Sequence, residues 1–457
     1  MSPRRALGCF AVLALAAALA VPCPSAAQDI ASTYRDAARR IVAAATADHR
    51  AYERIGELVD RFGPRLSGSA ALERSLDWIL EEMRADGLTN VRADPVMVPH
   101  WVRGEESLEL LLPRARTLPM LGLGGTVATP PDGIRGEVLV VSSWEELEAR
   151  KAEAAGRIVL FDVPFTSYGE TVQYRSGGAV AAAKAGAVAS LLRSVGPASM
   201  QTPHTGGMRY EDGVPRIPHA AITLEDAGML HRMQDRGERI EVLLRTEGKF
   251  LPDAPSRNVM AELRGSELPD EIVVLGGHTD SWDVGQGAMD DAGGVVASWE
   301  AVRLLQELGL RPRRTIRVVG WVNEENGLRG GTQYAADHGH EKHVVAIETD
   351  GGVFSPSGYG FTGSDAAFDV VKEIGTLLEQ IGAGEILRGG GGADIGPLMQ
   401  TGVPGMGLNV DGTRYFWYHH TDADTLDKLD PDEVARCVAA LAVMAYVVAD
   451  LPQALPR

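Results

Sequence analysis

The stretch of sequence that decides the fold is residues 271–294, EIVVLGGHTDSWDVGQGAMDDAGG. It begins with the apolar run Ile272–Leu275, continues through a turn that contains His278, and ends just before a segment with helical spacing. A short apolar run followed by a turn and a helix is one unit of an alternating strand–helix fold.

The same rhythm continues from residue 257 towards the C-terminus. The expected strands are Ile272–Leu275, Ile316–Val322, Val344–Ile347 and Val403–Leu408, and the expected helices are Val295–Leu308, Gly330–Asp337, Ala366–Ile381 and Asp394–Thr401. This alternation predicts an α/β fold with a mostly parallel sheet that is flanked by helices on both faces.

The middle of the chain differs in composition from the segment that follows residue 257. Residues 115–248 combine short valine-rich strands, such as Glu137–Val141 and Arg157–Asp162, with Gly/Pro turns and a small-residue helix at Gly178–Ala189. We therefore expect an inserted β-rich domain at 115–248, within a catalytic domain made of residues 28–114 and 249–457. Two domains also suit a chain of this length.

The first residues predict export. Arg4 and Arg5 precede the apolar run Leu7–Val21, and small residues follow up to Ala27. This is the pattern of a secretory signal peptide at residues 1–27, so we expect a secreted or periplasmic protein that is cleaved near Ala27. The run ends at Pro22, short of the roughly 20 apolar residues that a membrane anchor needs.

Composition narrows the possible partners. The chain has 44 basic and 62 acidic residues and a formal charge of −18, which argues against nucleic acids and anionic membrane surfaces as partners. Signal cleavage would leave Cys437 as the single cysteine, so no internal disulfide is expected.

Acidic and histidine side chains follow successive strand ends. They are His278 with Asp280, Asp290 with Asp291, Glu324 with Glu325, Asp350, and His419 with His420. In open α/β sheets the functional site forms beyond the carboxyl ends of the strands. Mixed nitrogen and oxygen ligands suit zinc, and also cobalt or manganese. A shared carboxylate can hold two ions about 3.5–4 Å apart, as amide hydrolysis by two metals requires.

Each of these residues taken alone has a simpler explanation. A histidine at a strand end is commonly a hydrogen-bonded structural residue, Glu324-Glu325 could favour a helix dipole, and Asp290-Asp291 could cap a helix. A purely structural role does not explain all of these residues together, because clustered carboxylates repel each other unless cations neutralise them.

Four motifs resemble the M28 family of co-catalytic zinc peptidases, and they occur in that family's order. They are GGHTDS at 276–281, GAMDDAGG at 287–294, NEENG at 323–327 and HTDADT at 420–425. Further stretches are similar to one dipeptide-hydrolysing branch of the family: GPRLSGS at 63–69, VQYR at 172–175, PHTG at 203–206, DSWDVGQG at 280–287 and YFWYHH at 415–420. The resemblance implies a zinc exopeptidase fold of the aminopeptidase-like type, a protease-associated type insert and a homodimer.

The resemblance also implies a role for each site residue. Asp290 would bridge two Zn²⁺ ions, His278 and Asp350 would complete one site, and Glu325 and His420 would complete the other. Glu324 would be the general base that takes a proton from the water between the metals and returns it to the leaving amine. Asp280 would orient the imidazole of His278. The peptide bond after Asp290 would be cis.

Some assignments stay open at this level. Residue type does not separate His419 from His420, although the motif spacing selects His420. His204 and His219, in the insert, lack ligand spacing, so structural roles are expected, with substrate contact as the alternative for His204. Trp282, Trp417 and Tyr418 could line a pocket or pack beneath it.

The resulting hypothesis is a secreted dizinc exopeptidase that acts on dipeptides or short peptides with free termini. An aminopeptidase acting on longer peptides is the alternative enzyme. A non-catalytic, receptor-like protein is disfavoured, because Glu324 and all five implied ligands are present.

Overall fold

The structure is a computed structural model that describes residues 30–457, so the expected signal peptide at residues 1–27 lies outside the described part. Within residues 30–457, no helix combines the length and the apolar character that crossing a membrane requires.

The strands of the described residues belong to two sheets. In chain order they are β1 Thr89–Val102, β2 Glu106–Leu112, β3 Arg116–Leu118, β4 Met120–Gly122, β5 Ile134–Val141, β6 Ile158–Phe161, β7 Ala189–Arg193, β8 His219–Ile222, β9 Glu241–Thr246, β10 Lys249–Leu263, β11 Leu268–His278, β12 Arg314–Trp321, β13 Lys342–Glu348, β14 Pro356–Thr362, β15 Glu385–Arg388 and β16 Gly405–Val410.

The α-helices are α1 Ile30–Ala45, α2 Arg50–Phe62, α3 Ala70–Ala85, α4 Trp144–Ala149, α5 Lys151–Ala154, α6 Tyr168–Lys184, α7 Leu224–Asp235, α8 Gly293–Glu307, α9 Arg329–His338, α10 Asp365–Gly375, α11 Gly396–Met399, α12 Tyr415–Tyr418 and α13 Pro431–Asp450. Short irregular or 3₁₀ turns occur at Ala288–Ala292, Thr376–Ile381 and Leu426–Lys428.

The sheet of the expected catalytic domain, called the catalytic sheet below, has 8 strands in the order β1-β10-β12-β11-β13-β16-β14-β15. Its centre, β12-β11-β13-β16, is parallel, but β1-β10, β10-β12 and β14-β16 are antiparallel. The expectation of a mostly parallel sheet is therefore corrected to a mixed sheet. The physical reason at one edge is the insert: the chain leaves at Val102 and returns at Lys249, which are register partners, so the two arms must run in opposite directions.

Helices cover both faces of the catalytic sheet, as the α/β prediction requires. Val273 and Leu275 of β11 pack into the larger core with α8 and α13, whereas Ile272 and Val274 pack into a smaller core with α9 and α11. Successive side chains of a strand point to opposite faces, so a strand buried on both sides is apolar along its whole length. This explains the continuous apolar run in the sequence.

The second sheet also has 8 strands, in the order β3-β2-β9-β5-β6-β7-β8-β4. It starts at Glu106, N-terminal to the expected domain boundary at 115, and it is mixed, with β5-β6-β7-β8 parallel. The helix expected at Gly178–Ala189 lies instead at α6, because Ser167 caps its start and the chain turns after it at Gly186, whose φ is 84°.

The two sheets meet at a small apolar cluster formed by Leu66, Trp101, Leu121, Trp282 and Val284. Trp282 lies against Gly124 of the insert so closely that a Cβ at Gly124 would sit 2.0 Å from the indole ring. Close packing of this kind joins the insert to the loop that follows β11.

Candidate metal centre

Strand register brings the candidate ligands to one edge of the catalytic sheet. His278 at the end of β11 pairs with Trp321 of β12, and Gly276 pairs with Glu348 of β13. The loops after these three parallel strands therefore start side by side. They carry His278 and Asp290, then Glu324 and Glu325, then Asp350.

Asp290 lies between two histidines. Its Oδ1 atom is 3.2 Å from His278 Nε2, and its Oδ2 atom is 3.3 Å from His420 Nε2. His278 Nε2 is also 3.3 Å from Asp350 Oδ1, and His420 Nε2 is 2.9 Å from Glu325 Oε2. The five residues thus form two adjacent groups that share Asp290, and the Asp290–Asp291 peptide bond is cis, as expected.

Electrostatics show that this cluster needs positive charge. Burial raises the pKa of Glu325 to about 7, and Asp290 adds to the effect. Burial disfavours the charged imidazolium of His420, but Glu325 and Asp290 outweigh it and raise its pKa to about 10. The carboxylates and imidazoles gathered here therefore favour a bound cation, which would offset the repulsion among the carboxylates.

The residues present fit a metal site. Ligand atoms of His278, Asp290 and Glu325 lie within 4.8 Å of one another, as do those of His278, Asp291 and Asp350. Asp290 Oδ2 is buried and has no hydrogen-bond donor, although it is an acceptor that normally has a partner. Two imidazoles and three carboxylates suit zinc.

His419 also reaches the cluster. Its Nε2 atom is 3.6 Å from Asp290 Oδ2, and its ring stacks on that of His420 with centroids 3.5 Å apart. Burial lowers the pKa of His419 well below its usual value, and the neighbouring His420 adds to this shift. Of the two histidines, His420 pairs with Glu325, at 2.9 Å from Nε2 to Oε2, which favours it as the ligand.

Asp280 contacts His278 through its main chain rather than through its side chain. His278 Nδ1 is 2.9 Å from the main-chain oxygen of Asp280 and 3.7 Å from its carboxylate. The carboxylate instead accepts from the main-chain N–H of Glu324 at 3.1 Å and from the Ser67 hydroxyl at 3.3 Å. Asp280 therefore connects the loop of His278 to the loop of Glu324. Burial raises the pKa of Glu324 well above its usual value, with Asp350 and Glu325 adding to the shift.

Three residues that support the site were quoted in motifs but given no role from sequence. Asp424 accepts hydrogen bonds from the main-chain N–H groups of Ala288, Met289 and Asp290. Asp291 accepts from the N–H groups of His278 and Gly294. Arg65 is fully buried and donates to main-chain carbonyls, including those of Thr279 and Gly287. The available signal was that each of the three is a charged residue inside one of the quoted motifs.

The other aromatic and histidine candidates from the sequence differ in how deeply they are buried. Trp282 is buried and lies edge-on to His420, with ring centroids 5.7 Å apart, whereas Trp417 is 46% exposed. His204 and His219 are buried and lie outside the ligand groups found among the described residues: His204 Nε2 donates to the Ala198 carbonyl at 3.1 Å, and His219 Nδ1 contacts Ser190 Oγ at 2.7 Å. Burial lowers the pKa of each of these two imidazoles to about 4.

Comparison with known proteins agrees with this architecture. Residues 258–445 match the model of peptidase family M28. The chain is 48% identical to carboxypeptidase Q of Bos taurus over 429 residues, which cover 93% of this chain and 91% of the relative. It is also 48% identical to carboxypeptidase Q of Homo sapiens over 413 residues, covering 90% and 88% of the two chains.

Solved structures show the same fold. The peptidase M28 precursor of Shewanella amazonensis superposes with a TM-score of 0.88 at 36% identity, covering 93% of this chain and 99% of that one. A zinc aminopeptidase of Bacillus subtilis is similar in fold, with a TM-score of 0.65 at 21% identity, covering 89% and 98%. Family, fold and ligand chemistry lead to one identification: the chain belongs to peptidase family M28 and is a carboxypeptidase Q-like metallopeptidase.

Proposed function

We propose that this metallopeptidase is a two-metal exopeptidase that hydrolyses dipeptides and short peptides with free termini. The observation that supports two ions is the position of Asp290, whose two carboxylate oxygens face different histidines. A carboxylate shared in this way suits a pair of neighbouring cations. His278 and Asp350 would hold one ion, and Glu325 and His420 the other.

Zn²⁺ is the proposed metal, with Co²⁺ or Mn²⁺ as substitutes that the same donor set would accept. When bound, two such ions polarise a water molecule and the carbonyl of the scissile bond. The residues of the chain then position these groups and move the proton.

Glu324 is the proposed general base. It would take a proton from the attacking water and give it to the nitrogen of the leaving amine, so that one carboxylate serves both halves of the reaction. The contact between the Glu324 N–H and the Asp280 carboxylate supports this role, because it fixes the start of the Glu324 loop relative to His278.

The relatives support the proposed substrate class. Peptides in which either the amino or the carboxyl terminus is blocked test it. The name carboxypeptidase Q describes removal of a C-terminal residue, which in a dipeptide is hydrolysis of its one peptide bond. The experiment compares free dipeptides, N-blocked and C-blocked dipeptides, and tetrapeptides, on Zn²⁺-reconstituted protein with its metal content measured.

Hydrolysis of free dipeptides alone would support the proposal. Hydrolysis of tetrapeptides from the N-terminus would identify an aminopeptidase instead. A protein that holds two ions and cleaves none of these peptides would refute exopeptidase activity. The Glu324→Gln variant is the control for a contaminating peptidase, because it should keep the metals and lose the activity.

Three further features are proposed from the sequence. The insert would be a protease-associated type domain that shapes substrate access, the signal would be removed near Ala27, and the mature protein would be a secreted or periplasmic homodimer. N-terminal sequencing of the exported protein and sedimentation analysis would check the last two.

A further inference from the structure

The insert contacts a proposed metal ligand through its main chain. The N–H of Thr205 donates to the carbonyl of His420 at 2.9 Å. The carbonyl of Thr205 lies 3.4 Å from Nδ1 of the same histidine. Thr205 is fully buried. His420 has a positive φ of 60°, a backbone conformation that residues other than glycine rarely adopt. The main chain of Thr205, 215 residues away in the chain, therefore contacts both the main-chain carbonyl and the ring nitrogen Nδ1 of His420.

The side chain of Arg175, on α6 of the insert, also contacts Thr205 and His420. Its Nη1 atom is 3.4 Å from the Thr205 carbonyl and 3.4 Å from His420 Nδ1, and its Nη2 donates to Tyr168 Oη at 2.8 Å. The side chain is 7% exposed. Gly206, with a φ of 135°, makes room for it, because a Cβ there would lie 2.3 Å from Arg175 Nη1.

Thr205 is held from its other side as well. Its hydroxyl donates to the carbonyl of Gly122 at 3.0 Å and accepts from Arg103 Nη2 at 3.2 Å. Arg103 in turn pairs with Asp283 at 2.6 Å, in the loop that follows β11. The position of the Thr205 carbonyl is thus set by contacts on both sides of the domain boundary.

A histidine that binds a metal through Nε2 must carry its proton on Nδ1, and the acceptor of that proton fixes both the tautomer and the ring orientation. In this site, the Thr205 carbonyl is the acceptor within reach of Nδ1. Nε2 then faces Glu325 at 2.9 Å and Asp290 at 3.3 Å.

We propose that the insert positions the metal ligand His420, with the Thr205 carbonyl accepting the Nδ1 proton and Arg175 holding that carbonyl in place. Arg175 is accordingly a positioning residue, which acts on one of the two metal sites through His420. The inference rests on the proposed function, because it takes His420 as a metal ligand.

The test is a Zn²⁺ titration of metal-free protein against a competing chelator, for wild type, Arg175→Met and Arg175→Lys. Loss of a partner behind a metal-bound histidine typically lowers metal affinity by about 10–100-fold. Because Arg175 acts on His420 through the Thr205 carbonyl, we expect a loss at the low end of this range, about 10-fold, at one of the two sites in Arg175→Met, no change at the other site, and partial recovery in Arg175→Lys. His420→Ala identifies which site is affected.

The matched control is Arg193→Met, which removes another arginine of the insert, paired with Asp162 at 3.0 Å. It should leave both affinities unchanged. Gly206→Ala is the independent second variant, because its Cβ would displace the Arg175 guanidinium. Gly206→Ala should weaken the same metal site, and it takes the place of Arg175→Met in the test if Arg175→Met does not fold.

The outcomes separate the inference from the proposed function. Wild-type protein that binds fewer than two ions would refute the proposed function. If wild type binds two ions and His420→Ala loses one, but Arg175→Met and Gly206→Ala match wild type, the positioning role is wrong. Equal weakening of both sites together with a lowered Tm would also overturn it, since that result means general loss of structure.

Discussion

Replacing Asp424 by Asn should destabilise the protein and weaken both metal sites. Asp424 Oδ1 accepts from the N–H of Ala288 at 3.1 Å and from that of Met289 at 2.7 Å, and Oδ2 accepts from the N–H of Asp290 at 3.2 Å. An asparagine has a single acceptor oxygen, so at least the N–H of Asp290 would face an amide NH₂ group. Both are donors, and one buried N–H is left unsatisfied.

The magnitude follows from that count. A buried donor without a partner costs about 1–3 kcal/mol. Burial, reinforced by Asp290, raises the pKa of Asp424 to about 7, so its carboxylate is ionised only above that pH in the metal-free protein. Because this raised pKa means that the folded state disfavours the ionised carboxylate, the contribution of this group to stability falls as the pH rises to about 7. Asp and Asn should therefore be compared at a pH of about 6, one unit below that value, where about nine-tenths of the carboxyl is uncharged and its two oxygens can still accept.

The assay is urea unfolding of the metal-free protein, followed by Zn²⁺ titration. Asp422→Asn is the matched control, because Asp422 is exposed and makes only a long contact, 3.4 Å, to the N–H of Gly285. Its effect should stay within about 0.5 kcal/mol. An Asp424→Asn protein with wild-type stability and two tightly bound ions would refute the view that Asp424 fixes the loop of the bridging carboxylate.

Three further predictions test the site. Glu324→Gln should keep the metal content near wild type and lower kcat by about 10²–10⁴-fold, because the base is lost and the ligands remain; loss of metal would make Glu324 a ligand. Asp290→Asn should weaken both ions together, whereas His278→Ala or His420→Ala should weaken mainly one each, and metal analysis that finds two tightly bound ions in Asp290→Asn would contradict bridging. His204→Ala should retain two ions and change only KM or kcat on a dipeptide, so a stripped metal would show that the insert supplies a ligand.

Local sequence accounts for the centre of the catalytic sheet. The apolar run Ile272–Leu275 lies within β11, and the strands expected at Ile316–Val322 and Val344–Ile347 correspond to β12 and β13. Strands buried on both faces need apolar side chains at every position, so a short range of residues carries the signal. His278, Glu325 and Asp350 could be found for a related reason, since each lies at or shortly after a strand end in the chain. Asp290 and His420 lie further along, in the segments that follow β11 and β16.

Elements whose environment is set by distant residues were harder to find. Helix α13 packs against α8 and is buried along most of its length, so it has no polar face to mark its period. The antiparallel arms β1 and β10 pair residues such as Val102 and Lys249, which are far apart in the chain. No local pattern encodes such a pairing.

By itself, the sequence determined the family, the parallel centre of the sheet and the order of the candidate ligands, because motif spacing and strand apolarity are local properties. Only the tertiary structure decided that Asp280 presents its carbonyl to His278 and its carboxylate to Glu324. It alone also placed Thr205 and Arg175 of the insert against His420. These contacts join segments that lie far apart in the chain, and their geometry comes from the packing of the two sheets on each other.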